Sequence, residues 1–505
     1  MNESSEELHT VDTAEGRLRG RTEGAVVAFR GVRYASPPIG ALRFLPPQAL
    51  PAWSGHREAL ADGPIAPQGR SRLAHVMGEV ERAQSEDCLT LTIWTPAPDA
   101  GARTVMVWLH GGAYMSGAGS LAWYGGQALA ERGDLVIVGV NYRLGALGFL
   151  RLPGVADGNM GILDQVEALR WVQRNIHAFG GDPQKVTVFG QSAGGASIAA
   201  MMAMPAAQGL FRHAILQSPG MGRPTRPAAE ADALGERYRE FVGLPHDAGP
   251  DAMRAVPVAR LLAAQGELAR SLHTPTFSSL PFMPVVDGRA IDRPVTATLE
   301  SGGGAAVRMM IGTTREEMAA FYYNDPAIGK ADEGMLRRLF EMTLGENHAA
   351  HLAQYRRQRA SSSPAAILGD LMSDSVFRQG SLRLAHRRAE HGNPAWVYQF
   401  DWQSPAGFEA CHCLEIPFVF GNWQAWAQSP MVQGISPAEQ EGLTLAMQDA
   451  WIAFARTGDP NHDALPEWPI YEGDTRSTMR FDRVVGPVDD LAGVRRHLPW
   501  PESAP

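Results

Sequence analysis

Residues 179–195 read FGGDPQKVTVFGQSAGG. Residues 186–189 of this stretch (VTVF) are β-branched or aromatic and too short for a helix, which predicts a buried strand. Gly190-Gln191-Ser192-Ala193-Gly194 follows at once and matches the nucleophile-elbow pattern G-x-S-x-G. A nucleophile on a strand-to-helix turn must hold a strained backbone and leave its Oγ free. Glycines on either side remove the Cβ atoms that would clash there. A helix rich in Ala and Met is expected over 197–204, and its N-terminal amides favour a developing oxyanion. G-x-S-x-G alone also fits a plain turn; the strand before it and the helix after it select the elbow. Met201, Met202 and Met204 read as helix core packing.

Upstream, Val166, Leu169, Val172 and Ile176 recur at helical spacing, so an amphipathic helix is expected over 164–177. Gly180-Gly181-Asp182-Pro183 breaks it. Residues 104–109 (TVMVWL) and 135–140 (LVIVGV) read as buried strands of a mostly parallel sheet. The first 60 residues carry Gly and Pro at turn spacing, which suits short strands. Downstream, 308–311 and 395–400 read as strands, 330–392 as mostly helical, and 445–457 as a helix stopped by Gly458-Asp459-Pro460. No low-complexity linker divides the chain. The expectation is one α/β domain over 1–505: a mostly parallel central sheet flanked by helices, with helical insertions around 222–300 and 325–392.

His110-Gly111-Gly112-Ala113-Tyr114 follows directly on TVMVWL. Acyl transfer passes through a tetrahedral oxyanion that needs backbone N–H groups already aimed at it. A Gly-Gly turn lets the backbone approach closely, and the amide of Ala193, after the serine, supplies a further donor.

The composition excludes several function classes. With 505 residues, 45% hydrophobic and 20% charged, the chain can bury a large core, which argues against general disorder. A net charge of −9 argues against a nucleic-acid partner. No apolar run approaches the length of a membrane span. The start, MNESSEELHTVDTAEG, lacks the basic and apolar regions of a secretory signal, so a cytoplasmic protein without a membrane partner is expected. Cys88, Cys411 and Cys413 are the cysteines, and all three are expected as thiols.

The chain resembles the type-B carboxylesterases, the α/β-hydrolase branch that holds bacterial para-nitrobenzyl esterases, liver carboxylesterases and cholinesterases. The resemblance rests on FRGVRYA at 29–35, EDCL at 86–89, HGGAY at 110–114, NYRLGALGF at 141–149, the stretch 179–195 and GDPN at 458–461. It implies a chain order of serine, acid, histidine. The family's acid segment corresponds to Gly312-Thr313-Thr314-Arg315-Glu316-Glu317, with Glu317 as the acid, and its histidine segment to Cys411-His412-Cys413-Leu414-Glu415-Ile416-Pro417-Phe418. A zinc reading of Cys-His-Cys is poor, because three adjacent residues do not readily wrap one tetrahedral ion. The implied mechanism uses Ser192, His412 and Glu317, with the amides of Gly112, Ala113 and Ala193 around the oxyanion. It needs no metal and no organic cofactor. The resemblance also implies two structural ion pairs, Arg43 with Glu86 and Arg143 with Asp164, both at least partly buried.

Three departures narrow the substrate. Gln191 stands where cholinesterases carry glutamate, and Val76-Met77-Gly78-Glu79 lacks the tryptophan that would hold a quaternary ammonium. Choline esters are therefore rejected. Ala66 stands where secreted relatives carry the partner of the EDCL cysteine, which leaves Cys88 free. Phe321, Tyr322 and Phe418 either line an apolar gorge or pack in the core. The expected activity is hydrolysis of uncharged, small to medium acyl esters by a monomer or homodimer. Amide or carbamate hydrolysis by the same triad stays open, a lipase with a lid in 260–285 is ambiguous, and an inactive binding protein of this fold is the rival from another class.

Overall fold

The run 104–109 forms a strand whose alternate side chains enter two different cores. Val105, Val107 and Leu109 join one buried cluster with Val136, Val138 and Val188, while Met106 and Trp108 join another with Ile137, Phe189 and Met310. A period of two with both faces apolar is the pattern of a strand covered on both sides. The structure, a computed structural model, describes residues 7–273, 279–323, 325–359, 362–491 and 493.

The main sheet has thirteen strands. They are β1 (Leu8–Asp12), β2 (Arg17–Glu23), β3 (Val26–Arg33), β4 (His56–Glu58), β5 (Thr90–Thr95), β6 (Arg103–Leu109) and β7 (Val136–Val140), followed by β8 (Gly181–Gln191), β9 (His213–Gln217), β10 (Arg308–Thr314), β11 (Trp396–Phe400), β12 (Thr478–Phe481) and β13 (Gly486–Val488). Their order is β1-β2-β3-β5-β7-β6-β8-β9-β10-β11-β12-β13, with β4 paired to β2. From β7 to β12 neighbouring strands are parallel. The edges, β1 to β3 with β5 and β12 with β13, pair antiparallel. Helices cover both faces. Met160–Asn175 buries Val166, Leu169 and Val172 in the first cluster, and Pro437–Thr457 buries Met447, Trp451 and Phe454 in the second.

Several element boundaries differ from those read in the sequence. The strand read at 186–189 starts at Gly181, which pairs with Arg103 before a register shift at Val186. The helix read at 197–204 spans Ala193–Ala203, so it begins on the residue after the serine. The strand read at 308–311 continues to Thr314. The helix read at 445–457 starts at Pro437, where Ser436 accepts from the Glu439 N–H (3.3 Å) and donates to the Glu439 carboxylate (2.8 Å). This reciprocal cap holds a polar first turn that apolar periodicity cannot detect.

The two insertions pack differently. Ala228–Val242 and Val258–Ser271 add Tyr238, Leu261 and Leu268 to the first cluster. Val258–Ser271 therefore packs into the core, while 274–278 of the ambiguous lid segment lie outside the described residues. Glu333–Leu344, His348–Gln358 and Pro364–Ser373 form a third cluster around Phe340, Tyr355 and Leu368. The chain then makes one wide π turn, Asp374–Arg378, where Asp374 pairs with Arg378 and Arg378 donates to the Thr314 carbonyl (3.0 Å). Among the described residues no helix is long and apolar enough to cross a membrane.

Candidate active site

Register brings the carboxyl ends of the central strands side by side: Leu109 opposite Gly190, Gln191 opposite Gln217, Gln217 opposite Gly312, and Thr314 opposite Phe400. Open parallel sheets place ligands outside such ends. Ser192 sits there, between β8 and the helix Ala193–Ala203, at φ 56° and ψ −118°. Its N–H donates to the Gln217 carbonyl at 2.8 Å. A Cβ on Gly194 would stand 1.9 Å from the Leu109 carbonyl oxygen, and one on Gly190 2.7 Å from the same atom. That oxygen is backbone and cannot yield, so both motif glycines are set by close approach.

Glu317 follows β10 in a tight turn. One carboxylate oxygen accepts from the Thr314 N–H (2.8 Å), and the other accepts from Nδ1 of His412 (2.5 Å). The His412 N–H donates to the Glu317 carbonyl (3.3 Å), and both side chains are buried. With Nδ1 donating, Nε2 is left as the acceptor, the tautomer a general base requires. Nε2 accepts from the side-chain amide of Gln191 at 3.0 Å. No hydrogen bond joins Ser192 Oγ to His412 among the described residues; the Gln191 amide holds that nitrogen instead. Catalytic hydrogen bonds are often looser in a free site and tighten on substrate. The adjacent acid, Glu316, turns away and binds Arg359 (2.7 Å), Arg315 (3.0 Å) and the Ala410 N–H (3.1 Å).

Behind the imidazole lies a second buried acid, Glu415. One oxygen accepts from the Gln217 amide (3.2 Å), whose own oxygen accepts from the Trp451 indole N–H (3.1 Å). The other oxygen has no partner among the described residues. Burial, helped by the nearby Glu317 charge, pushes the Glu415 carboxyl up to about 7.

The turn after β6 carries three consecutive left-handed residues: Gly112 (φ 115°), Ala113 (φ 56°) and Tyr114 (φ 60°). A Cβ on Gly112 would meet the Ser116 carbonyl oxygen at 2.0 Å. His110 braces the turn. Its Nδ1 donates to the Gly111 carbonyl (2.7 Å), its ring stacks on Tyr142 (4.3 Å), and the Tyr142 hydroxyl donates to the His110 carbonyl (2.7 Å). Burial lowers the His110 imidazole to about 4, so it stays neutral at pH 7. Ala113, Ser192 and Ala193 all line one cavity of about 110 Å³.

Most of that cavity is apolar. Phe321 lines it, as the gorge reading expects, with its ring 5.5 Å from His412. Two other expected lining residues need correction. Phe418 is not part of the wall; it is fully buried in the second core against Phe400 (5.3 Å), Trp402 (5.4 Å) and Trp423 (5.0 Å). The short helix Ile416–Phe420 turns it away from the serine. Tyr322 packs against the third cluster instead of lining the cavity. Sequence reading missed Val376 and Phe377, which the π turn presents to the cavity, with the Phe377 ring 4.8 Å from His412. It also missed Arg72 and Arg223, which line the same wall. A helical periodicity carries no signal for a π turn, and no local pattern marks either arginine.

Both implied ion pairs exist as contacts. Arg43 binds Glu86 through two bonds of 2.6 Å and also donates to the Val256 carbonyl (2.6 Å). Arg143 binds Asp164 at 2.6 and 2.8 Å, with both side chains almost wholly out of solvent. Cys88, Cys411 and Cys413 are buried and free, and burial pushes all three thiols up.

The carboxylesterase family model matches residues 7–490. Phenmedipham hydrolase of Pseudarthrobacter oxydans is 39% identical over 500 residues, which cover 97% of each chain. Para-nitrobenzyl esterase of Bacillus subtilis is 36% identical over 499 residues, covering 98% of this chain and 99% of its own. The crystal structure of the Geobacillus stearothermophilus carboxylesterase EST55 at pH 6.2 superposes with a TM-score of 0.87 at 37% identity, over 97% of this chain and 100% of that one. The architecture is the α/β-hydrolase fold. By sequence and by structure alike, the chain belongs to the carboxylesterase family.

Proposed function

We propose that Ser192 is the nucleophile of this ester hydrolase, His412 its general base and acid, and Glu317 the residue that orients the imidazole. A serine hydroxyl is too weak a nucleophile unaided. His412 Nε2 exchanges the Gln191 amide for the serine hydroxyl and takes its proton as Oγ attacks the ester carbonyl. Glu317 stabilises the imidazolium so formed. The amides of Gly112, Ala113 and Ala193 receive the oxyanion. His412 protonates the leaving alkoxide, and water then releases the acid by the same steps in reverse. The observation that carries this reading is the Glu317–His412 bond of 2.5 Å, which leaves the base-competent nitrogen beside the end of β8.

The test is para-nitrophenyl butyrate hydrolysis by wild type and Ser192→Ala. A fall in kcat of roughly 10⁴-fold or more is expected. Full activity in the variant would refute the assignment. An amide and a carbamate with the same acyl group belong beside the ester, because His412 protonates an amine leaving group equally well. We further infer small to medium acyl substrates and a cytoplasmic enzyme, monomeric or homodimeric, with no nucleic-acid or membrane partner. The free buried thiols and the net charge of −9 support the compartment and the absence of nucleic acid.

A further inference from the structure

His412 lies in the loop between β11 and the short helix Ile416–Phe420, so its place depends on what fastens that loop. Glu409 and Cys413, on either side of the segment, both adopt left-handed backbone, at φ 54° and φ 76°. A non-glycine residue keeps such a conformation only where its surroundings impose it. The acid turn after β10 supplies the fastening. The Glu316 N–H donates to the Ala410 carbonyl (3.0 Å), and the Ala410 N–H donates back to the Glu316 carboxylate (3.1 Å). This bracket closes just ahead of the His412 N–H bond to the Glu317 carbonyl (3.3 Å).

The Glu316 carboxylate is itself anchored. Its other oxygen accepts from Arg359 (2.7 Å), at the end of the helix His348–Gln358, and from Arg315 (3.0 Å). Arg359 also meets Glu409 (3.4 Å), the residue before Ala410, so one guanidinium grips both sides of the bracket. Arg378 ties the same turn through the carbonyls of Thr314 (3.0 Å) and Arg315 (2.5 Å). Glu316 and Ala410 are both buried. An ionised acceptor there holds the Ala410 N–H more strongly than a neutral one would.

We propose that Glu316 is a positioning residue for the reaction: its backbone N–H and its carboxylate bracket Ala410 and hold the histidine loop where His412 Nδ1 meets Glu317. The proposal rests on His412 as the general base and Glu317 as the acid that orients it. Glu316 acts through the loop. Without the bracket, Glu409 and Cys413 relax towards ordinary backbone, the Nδ1 bond lengthens and Nε2 turns from Ser192. A misplacement of about 1 Å at such a site costs roughly 10²-fold in rate. Removing the Glu316 side chain still leaves Arg359 with Asp370 (2.9 Å) and Glu409, so no cation is stranded.

The test is para-nitrophenyl butyrate hydrolysis by wild type, Glu316→Ala, Glu317→Gln and the double variant E316A/E317Q, with near-ultraviolet circular dichroism to show that each is folded. Burial pushes the Glu316 carboxyl up to about 7, so assays at about pH 8 keep it charged. Glu316→Ala is expected to lower kcat by roughly 10- to 100-fold with KM within about twofold. In the Glu317→Gln background the same change should cost about twofold or less, because residues that act as a unit are not additive. Glu316→Gln keeps the side-chain volume and serves if the alanine variant does not fold; a smaller loss is expected, with the same dependence on Glu317. Wild-type kcat in the Glu316 variant, an effect on KM alone, or a loss that multiplies in full in the Glu317→Gln background would overturn the proposal and leave the ester hydrolase reading intact. Full activity in Glu317→Gln, or no turnover by the wild type, would remove both.

Discussion

Glu316 and Glu317 are neighbours with the same side chain, and their surroundings give them opposite tasks. Glu316 meets two guanidiniums and a backbone N–H, while Glu317 meets one imidazole and the N–H of Thr314. Gln191 is the other residue on which the chemistry turns. Its neutral amide donates to His412 Nε2, and a carboxylate there would favour the imidazolium. Gln191→Glu should therefore raise the histidine pKa and move the acid limb of the kcat/KM profile to higher pH. An unmoved or lowered limb would show that the side chain does not act on His412. At the same scale, Asp164→Asn strips the charge partner from a guanidinium that is almost fully out of solvent, at a cost of about 3–5 kcal/mol. Chemical denaturation should find Glu86→Gln milder, because the Arg43–Glu86 pair is less deeply buried and Arg43 keeps two carbonyl partners.

At the scale of elements, the site is built from the turns at the carboxyl ends of strands. The turn after β6 and the elbow after β8 were legible in the sequence because Gly-Gly and G-x-S-x-G after β-branched runs are local patterns, whereas the acid turn after β10 was implied only by the family resemblance. The boundaries were less legible. Helix Ala193–Ala203 begins one residue after the serine, where Gly194 and Gly195 lower the helical signal. The Gly112 position ties this scale to catalysis. Gly112→Ala would drive a Cβ to 2.0 Å from the Ser116 carbonyl oxygen at a φ of 115°, so the turn must move. The expected result is a fall in kcat of about 10²–10³-fold, as when an oxyanion donor is lost, with the circular dichroism spectrum kept. Wild-type kcat in that variant would mean that the turn does not hold the oxyanion.

Across the whole molecule, burial couples stability to pH. Glu415 lies between the sheet and the helix Pro437–Thr457, with one oxygen unsatisfied, and its carboxyl is pushed up to about 7. Unfolded, the same group loses its proton near 4.5. Between these values the native state binds more protons, so stability falls as pH rises through this window. The loss attributable to this group reaches about 3 kcal/mol above it. Glu415→Gln keeps the neutral shape. Its Tm should match the parent at about pH 5 and exceed it at about pH 8. Equal Tm differences at the two pH values would mean that Glu415 is charged throughout.

By itself the sequence determined the parallel strands, the nucleophile elbow, the Gly-Gly turn and the family, because each is written in residues close together along the chain. The tertiary structure decided the rest. It sent Phe418 into the core and set Phe377, Arg72 and Arg223 around Ser192. Those residues come from loops and a π turn far apart in the chain. Only the packing of three hydrophobic clusters brings them to one wall, and no local periodicity or turn chemistry encodes that meeting.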